Sequence, residues 1–165
     1  MIIGNGDIAQ ALKEVDRDDL IFFASGVSNS SETRQSEFQR ELDLLKDQKR
    51  DKRLVYFSSL SILYSRIDYA RHKRFMESAI EALFPSYTII RLGNIAWGKN
   101  PHTLINYLKA HPEAEIQDVY RYVIEKDEFL HWIKLIPNWN IQMNCPGRRL
   151  KVKEIYDKYV RVSKK

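Results

Sequence analysis

LVYFSSLSILYSRIDYARHKRFME, residues 54–77, changes its period halfway along, and that change decides how the chain is organised. Leu54-Val55-Tyr56-Phe57 is a run of apolar and aromatic residues directly after the charged segment 46–53, which predicts a strand. The run turns polar at Ser58, Ser59 and Ser61. From Tyr69 onward, Tyr69, Lys73, Met76 and Ile80 recur at three- and four-residue steps, so a helix carries Tyr69 and Lys73 on one face, a turn apart. A strand that ends in serines and feeds a helix showing Tyr over Lys is a candidate acid/base site.

The chemistry of that spacing follows from the residue types. A phenol titrates near pH 10, so a Tyr that exchanges a proton near neutrality needs a neighbouring cation to stabilise its phenolate. Lys73 is in position to supply it. A serine hydroxyl facing the same point would hold a substrate hydroxyl or carbonyl while the proton moves. The same spacing also describes a surface helix with a half-buried Tyr and a solvated Lys.

At 165 residues, 44% hydrophobic and 30% charged, the chain is expected to form a single globular domain, residues 1–165, with a sizeable core. No apolar run approaches the roughly 20 residues that span a bilayer, and residues 1–10 lack the pattern of a secretory signal. Cys145 is the only cysteine, which excludes an internal disulfide and fits a reducing cytoplasm. The net charge of +5 is carried mainly by residues 49–53 and 158–165, both interrupted by acids or apolar residues. That reads as a solvated face, not as a nucleic-acid surface, and equally suits attraction of a phosphorylated small molecule. His72, His102, His111 and His131 lack metal-ligand spacing, so no metal site is expected.

Residues 1–3 form a short apolar start, followed at once by Gly4-Asn5-Gly6-Asp7-Ile8-Ala9 and a helix with Ile8, Leu12 and Val15 as its stripe. Strand, Gly-x-Gly-x-x-Ala, helix is the arrangement in which a backbone approaches a pyrophosphate; a plain Gly-rich turn has the same letters. Leu20-Ile21-Phe22-Phe23-Ala24 reads as a strand buried on both faces. Residues 25–31 supply N-cap candidates for a charged surface helix over 32–49, striped by Phe38, Leu42 and Leu45. Residues 87–91 are a further buried strand, and Gly93-Asn94-Ile95-Ala96-Trp97-Gly98 is a loop at its carboxyl end. Later residues predict a helix over 102–110, an extended stretch over 116–124, a helix capped by Asp127, a short strand over 141–144 and a closing helix over 152–160. Trp97, Trp132 and Trp139 are expected in the core or a lid. Strands alternating with helices imply a parallel sheet with helices on both sides.

Taken together and in order, Gly4-x-Gly6-x-x-Ala9, the strand ends Ala24-Ser25-Gly26-Val27 and Phe57-Ser58-Ser59, Tyr69-x-x-x-Lys73 and Arg91-Leu92-Gly93-Asn94-Ile95-Ala96-Trp97-Gly98 resemble the extended short-chain dehydrogenase/reductase family. The nearest likeness within it is to NAD-dependent epimerases and dehydratases that act on nucleotide sugars. The likeness continues through residues 122–127 and 150–155.

It implies a Rossmann-like α/β fold, a sheet of about five parallel strands flanked by helices. It implies Tyr69 as catalytic acid/base, Lys73 as its pKa-lowering partner and a ligand of the nicotinamide ribose, and Ser59 as the catalytic serine, with Ser58 second. Gly4, Gly6 and Ala9 would line the pyrophosphate of NAD or NADP, Ala24 and Gly26 would pass beside the nicotinamide half, and Asn94 and Arg121 would meet a nucleotide-sugar substrate. A homodimer and a cytoplasmic role in polysaccharide biosynthesis are further implications of the likeness.

The departures are as specific. The family runs to about twice this length and carries two more strands between the first helix and the strand at Leu20, the first ending in the acid that bonds the adenosine ribose. Here Asp16-Arg17-Asp18-Asp19 follows Val15 at once, so the usual second and third strands are missing. Tyr120 stands where many members have a substrate-binding Arg, with Arg121 one place away. Two readings compete: a minimal enzyme, and a catalytically inactive descendant that binds a nucleotide or nucleotide sugar or serves a partner protein.

Overall fold

The computed structural model describes residues 1–161; the last part of the basic segment 158–165 lies outside the described residues. Five parallel strands form the main sheet, in the spatial order β1 (Ile2–Ile3), β2 (Leu20–Phe23), β3 (Arg53–Ser59), β4 (Tyr87–Leu92) and β7 (Ile141–Cys145). Helices α1 (Asp7–Leu12) and α5 (Lys126–Lys134) cover one face; α2 (Gln35–Lys46) and α3 (Asp68–Leu83) cover the other.

Period-two alternation sorts the core. Leu20, Phe22, Val55 and Phe57 pack with Leu12, Phe129 and Ile133, while Ile21, Phe23, Leu54 and Tyr56 pack with Leu45, Met76 and Ile80. Both faces are buried, which is why these strands read as continuous apolar runs. A smaller sheet joins β5 (Asn94–Ile95) in parallel to β6 (Tyr120–Ile124), and β6 antiparallel to β8 (Arg148–Lys151). It packs beneath α4 (Leu104–Ala110) and α6 (Val152–Tyr156) through Ile105, Val123 and Ile155.

The sheet ends at β1, next to β2, so among the described residues the usual second and third strands of a Rossmann-like sheet are missing. Several details correct the sequence reading. α2 begins at Gln35 with Arg34 as its N-cap and no side-chain cap bond, because Glu32 is turned back to accept from the Thr33 and Arg34 amides and the Arg34 side chain. Nor is α2 only a surface helix, since Glu41 is completely buried. Glu125, not Asp127, is the N-cap of α5. The extended stretch forms a strand only from Tyr120, where its pairing with the antiparallel strand β8, unforeseen in the sequence, starts opposite Lys151. Trp97 and Trp132 pack on the core, but Trp139 is exposed. Among the described residues no helix is long and apolar enough to cross a membrane, and no cluster of His, Cys, Asp and Glu is suited to a metal.

Candidate functional site

The carboxyl ends of β1 to β4 open into a cleft of about 670 Å³. That is the edge at which open parallel sheets hold ligands, because every strand delivers a loop there and the helices that follow point their N-termini at it. Gly6, Ala24, Gly26, Ser58, Ser59, Tyr69, Lys73, Asn94 and Arg121 all line it. Gly4 and Ala9 stand behind the wall. Gly4 has φ +122° and lies so close to β2 that a Cβ would sit 2.4 Å from the Ala24 carbonyl oxygen, and Ala9 is fully buried inside α1. Gly6 is different in kind: nothing lies within 4 Å of where its Cβ would be, so its bare edge belongs to the cleft.

The Tyr-bearing helix places its two polar residues at different depths. Tyr69 is half-buried at the rim and its hydroxyl makes no hydrogen bond among the described residues. Lys73 is only 2% exposed, with Nζ 5.7 Å from the centre of the Tyr69 ring. It is not a solvated surface lysine. Its ammonium donates to Glu41 Oε1 at 3.1 Å and to the Tyr56 hydroxyl at 3.0 Å, which uses two of its three donors.

Glu41, at 0% exposure, collects four donors: the Val27 amide at 2.8 Å, the Tyr56 hydroxyl at 2.6 Å, His72 Nε2 at 2.8 Å and Lys73. Burial opposes the charge on Glu41, but Lys73, His72 and Tyr56 together outweigh it and hold its carboxyl well below the usual range. Burial and the adjacent Glu41 charge push the Tyr56 hydroxyl far above its ordinary value, so Tyr56 stays a phenol. The turn above is shaped to match: a Cβ on Gly26 would lie 2.7 Å from both Glu41 Oε1 and Lys73 Nζ. Glu41 and Tyr56 were not singled out in the sequence. The available signal was an acid three residues after Phe38, on the apolar stripe of α2.

The serines are also distinguished. Ser59 Oγ donates to Ser61 Oγ at 2.9 Å and accepts from the Ser61 amide, which starts a short 3₁₀ turn at the strand end. Ser58, in phase with Tyr56 and therefore on the α3 side, is buried, and its hydroxyl has no partner among the described residues. Opposite, Asn94 donates to the Tyr122 carbonyl at 2.9 Å and Arg121 to the Tyr120 carbonyl at 3.0 Å. Asp7, first residue of α1, is clasped by the Lys99 and Asn100 amides at 2.9 and 2.8 Å, which puts a carboxylate beside Gly6. Cys145 takes no part: burial pushes its thiol up to about 12.

No family model matches the sequence, and no curated protein is detectably similar to it. Solved structures do match in shape. The NAD complex of the Bordetella bronchiseptica enzyme WbmG aligns with TM-score 0.66 at 15% identity over 88% of this chain and 56% of that one. The Thermus thermophilus UDP-glucose 4-epimerase with NAD aligns at 0.62 and 12% identity, over 94% and 65%. The Bacillus anthracis dTDP-glucose 4,6-dehydratase with NAD aligns at 0.62 and 11% identity, over 96% and 61%. The chain thus spans less than two thirds of the length of these neighbours. At such identities the likeness establishes the Rossmann-like fold: a five-stranded parallel sheet between helices.

Proposed function

We propose that the chain is a minimal nicotinamide-dependent enzyme of the epimerase, dehydratase or reductase kind, acting on a nucleotide sugar in polysaccharide biosynthesis. The observation that carries this reading is the convergence of Ser59, Tyr69 and Lys73 on one cleft at the carboxyl edge of the sheet, beside the open flank of Gly6. The neighbouring structures solved with NAD share this fold.

The residues fit the nicotinamide half of NAD or NADP. Ala24 and Gly26 offer a smooth wall and Lys73 keeps one donor for a ribose hydroxyl. Beyond Gly6 the sheet stops at β1, so the adenosine half meets no strand carrying an acid for its ribose. When bound, the cofactor supplies hydride acceptance and donation. The chain's own part is proton handling: Tyr69 takes the proton of a substrate hydroxyl or returns it to the carbonyl, Lys73 stabilises the phenolate, and Ser59 holds the same oxygen. Asn94 and Arg121 face the substrate's phosphates across the cleft. Pairing of two copies through α3, where Phe75 is 54% exposed, belongs to the same reading.

A second reading, a non-catalytic descendant that binds a nucleotide or a partner protein, is favoured by the absent adenosine wall and by the engagement of Lys73 with Glu41. Calorimetric titration with NAD(H) and NADP(H) separates the two. Micromolar binding followed by turnover of a sugar nucleotide supports the enzyme; no binding at millimolar cofactor sinks it.

A further inference from the structure

We propose that Glu41 is a positioning residue of this site: its buried carboxylate holds the Lys73 ammonium beneath Tyr69 and sets the net charge that Tyr69 meets. The proposal rests on the reading of Tyr69 as the proton-exchanging group. Its own support is geometric. Glu41 reaches from α2 to three other elements at once, bonding the Val27 amide in the turn after β2, Tyr56 on β3, and His72 and Lys73 on α3. His72 is itself fixed by stacking on Phe38, ring centres 4.4 Å apart. Such a carboxylate leaves the ammonium little freedom, because Tyr56 closes the triangle by accepting from Lys73 as it donates to Glu41.

A buried ammonium without a counter-ion tends to lose its proton or draw in water. Paired with Glu41 it keeps the charge, and the Lys73–Glu41 unit is neutral as a whole. Tyr69 therefore meets an oriented dipole with its positive end towards the phenol, and not a full cation. The other charged or titratable groups round the pair are Arg40 on α2, Tyr56 on β3, and Glu77 on α3, which is bound to Arg91 of β4 at 2.7 Å. Glu41 is the acid in direct contact with Lys73. The Glu41 carboxylate also contacts the place where a Gly26 side chain would be, so the turn that would flank a nicotinamide ribose and the ammonium that would bond it are held by one group.

The test is a pH titration of Tyr69 in the full chain, followed by the Cζ carbon resonance of labelled tyrosine and assigned by its loss in Tyr69→Phe. In Glu41→Gln the buried ammonium loses the counter-ion that keeps its proton, Tyr69 loses the positive end of the dipole it faces, and its midpoint is expected to rise by about one pH unit. Coincident titrations in the two proteins would overturn the proposal. Should Glu41→Gln fail to fold, the unmodified chain still decides. The Lys73 ammonium, assigned with Lys73→Arg, is expected to give a nitrogen–proton resonance protected from exchange at neutral pH; its absence overturns the role. Neither readout uses cofactor or turnover. Micromolar NAD(H) binding with unmoved Tyr69 rejects the positioning role alone, while a moved Tyr69 without NAD(H) binding rejects the enzyme reading alone.

Discussion

Lys73 Nζ lies 3.1 Å from Glu41 Oε1 with the two side chains 2% and 0% exposed, so the cation beneath Tyr69 is one half of a buried ion pair at the floor of the cleft. Forming such a pair costs desolvation on both sides and yields little net stability, but breaking it strands a charge in the core. Lys73→Met is therefore expected to destabilise the fold by about 3–5 kcal/mol. Urea unfolding monitored by tryptophan fluorescence checks this, and a loss below about 1 kcal/mol would show that water reaches the cluster.

The same pair makes stability depend on pH. Glu41 is held below its ordinary value of 4.5 in the folded chain and returns to it on unfolding, so in acid the unfolded state binds more protons than the native state. Stability from this group is complete above pH 4.5 and drains as pH falls further towards the depressed folded value. The expected outcome is a urea midpoint that declines steadily below that pH in the unmodified chain and markedly less in Glu41→Gln.

How far the sequence spoke for itself can be judged from these residues. The strands were legible because Leu20-Ile21-Phe22-Phe23 and Leu54-Val55-Tyr56-Phe57 are buried on both faces, and a central parallel strand has no other reading at that length. Tyr69 and Lys73 were legible as neighbours because helical spacing is local. Glu41 was not, since its partners come from residues 27, 56, 72 and 73, and only the packing of α2 against α3 brings them together. Nor was the division between Gly4 and Gly6. The letters match, but one glycine fits against the Ala24 carbonyl and the other faces open space. Strand β8 stayed hidden because Arg148-Arg149-Leu150-Lys151 has no apolar run and is ordered by its pairing with β6.

Tyr69→Phe separates chemistry from architecture. The Tyr69 hydroxyl makes no hydrogen bond among the described residues, so its removal leaves packing intact. If Tyr69 exchanges the proton, turnover falls by about two to four orders of magnitude with an unchanged melting temperature. Retained turnover in a correctly folded variant removes Tyr69 from the reaction.

The two glycines of the first turn should respond in opposite ways. Gly6 has φ −73° and free space for a side chain, so Gly6→Val is expected to fold normally and lose dinucleotide binding by filling the cleft. Gly4 has φ +122° and no room before the Ala24 carbonyl, so Gly4→Val is expected to lose at least about 2 kcal/mol of stability whatever the ligand. Thermal unfolding with and without NAD(H) distinguishes them. A destabilised Gly6→Val would make that glycine a structural turn like its neighbour.

Asp7 offers the sharpest test of how well the turn accepts an anion. Its carboxylate begins α1 beside Gly6, where it accepts from the Lys99 and Asn100 amides and stabilises the helix terminus itself. A pyrophosphate bound along the Gly6 flank would meet that negative charge. Asp7→Asn keeps an oxygen acceptor for one of the two loop amides, gives up the other bond and removes the repulsion, so NAD(H) affinity is expected to rise about fivefold at low ionic strength. The gain should shrink as salt is added, because screening weakens the same repulsion in the unmodified chain. Calorimetry at two salt concentrations reads both effects. An affinity that falls in Asp7→Asn would mean that the loop clasped by Asp7 is part of the binding wall, and that its order matters more to the ligand than the charge that holds it.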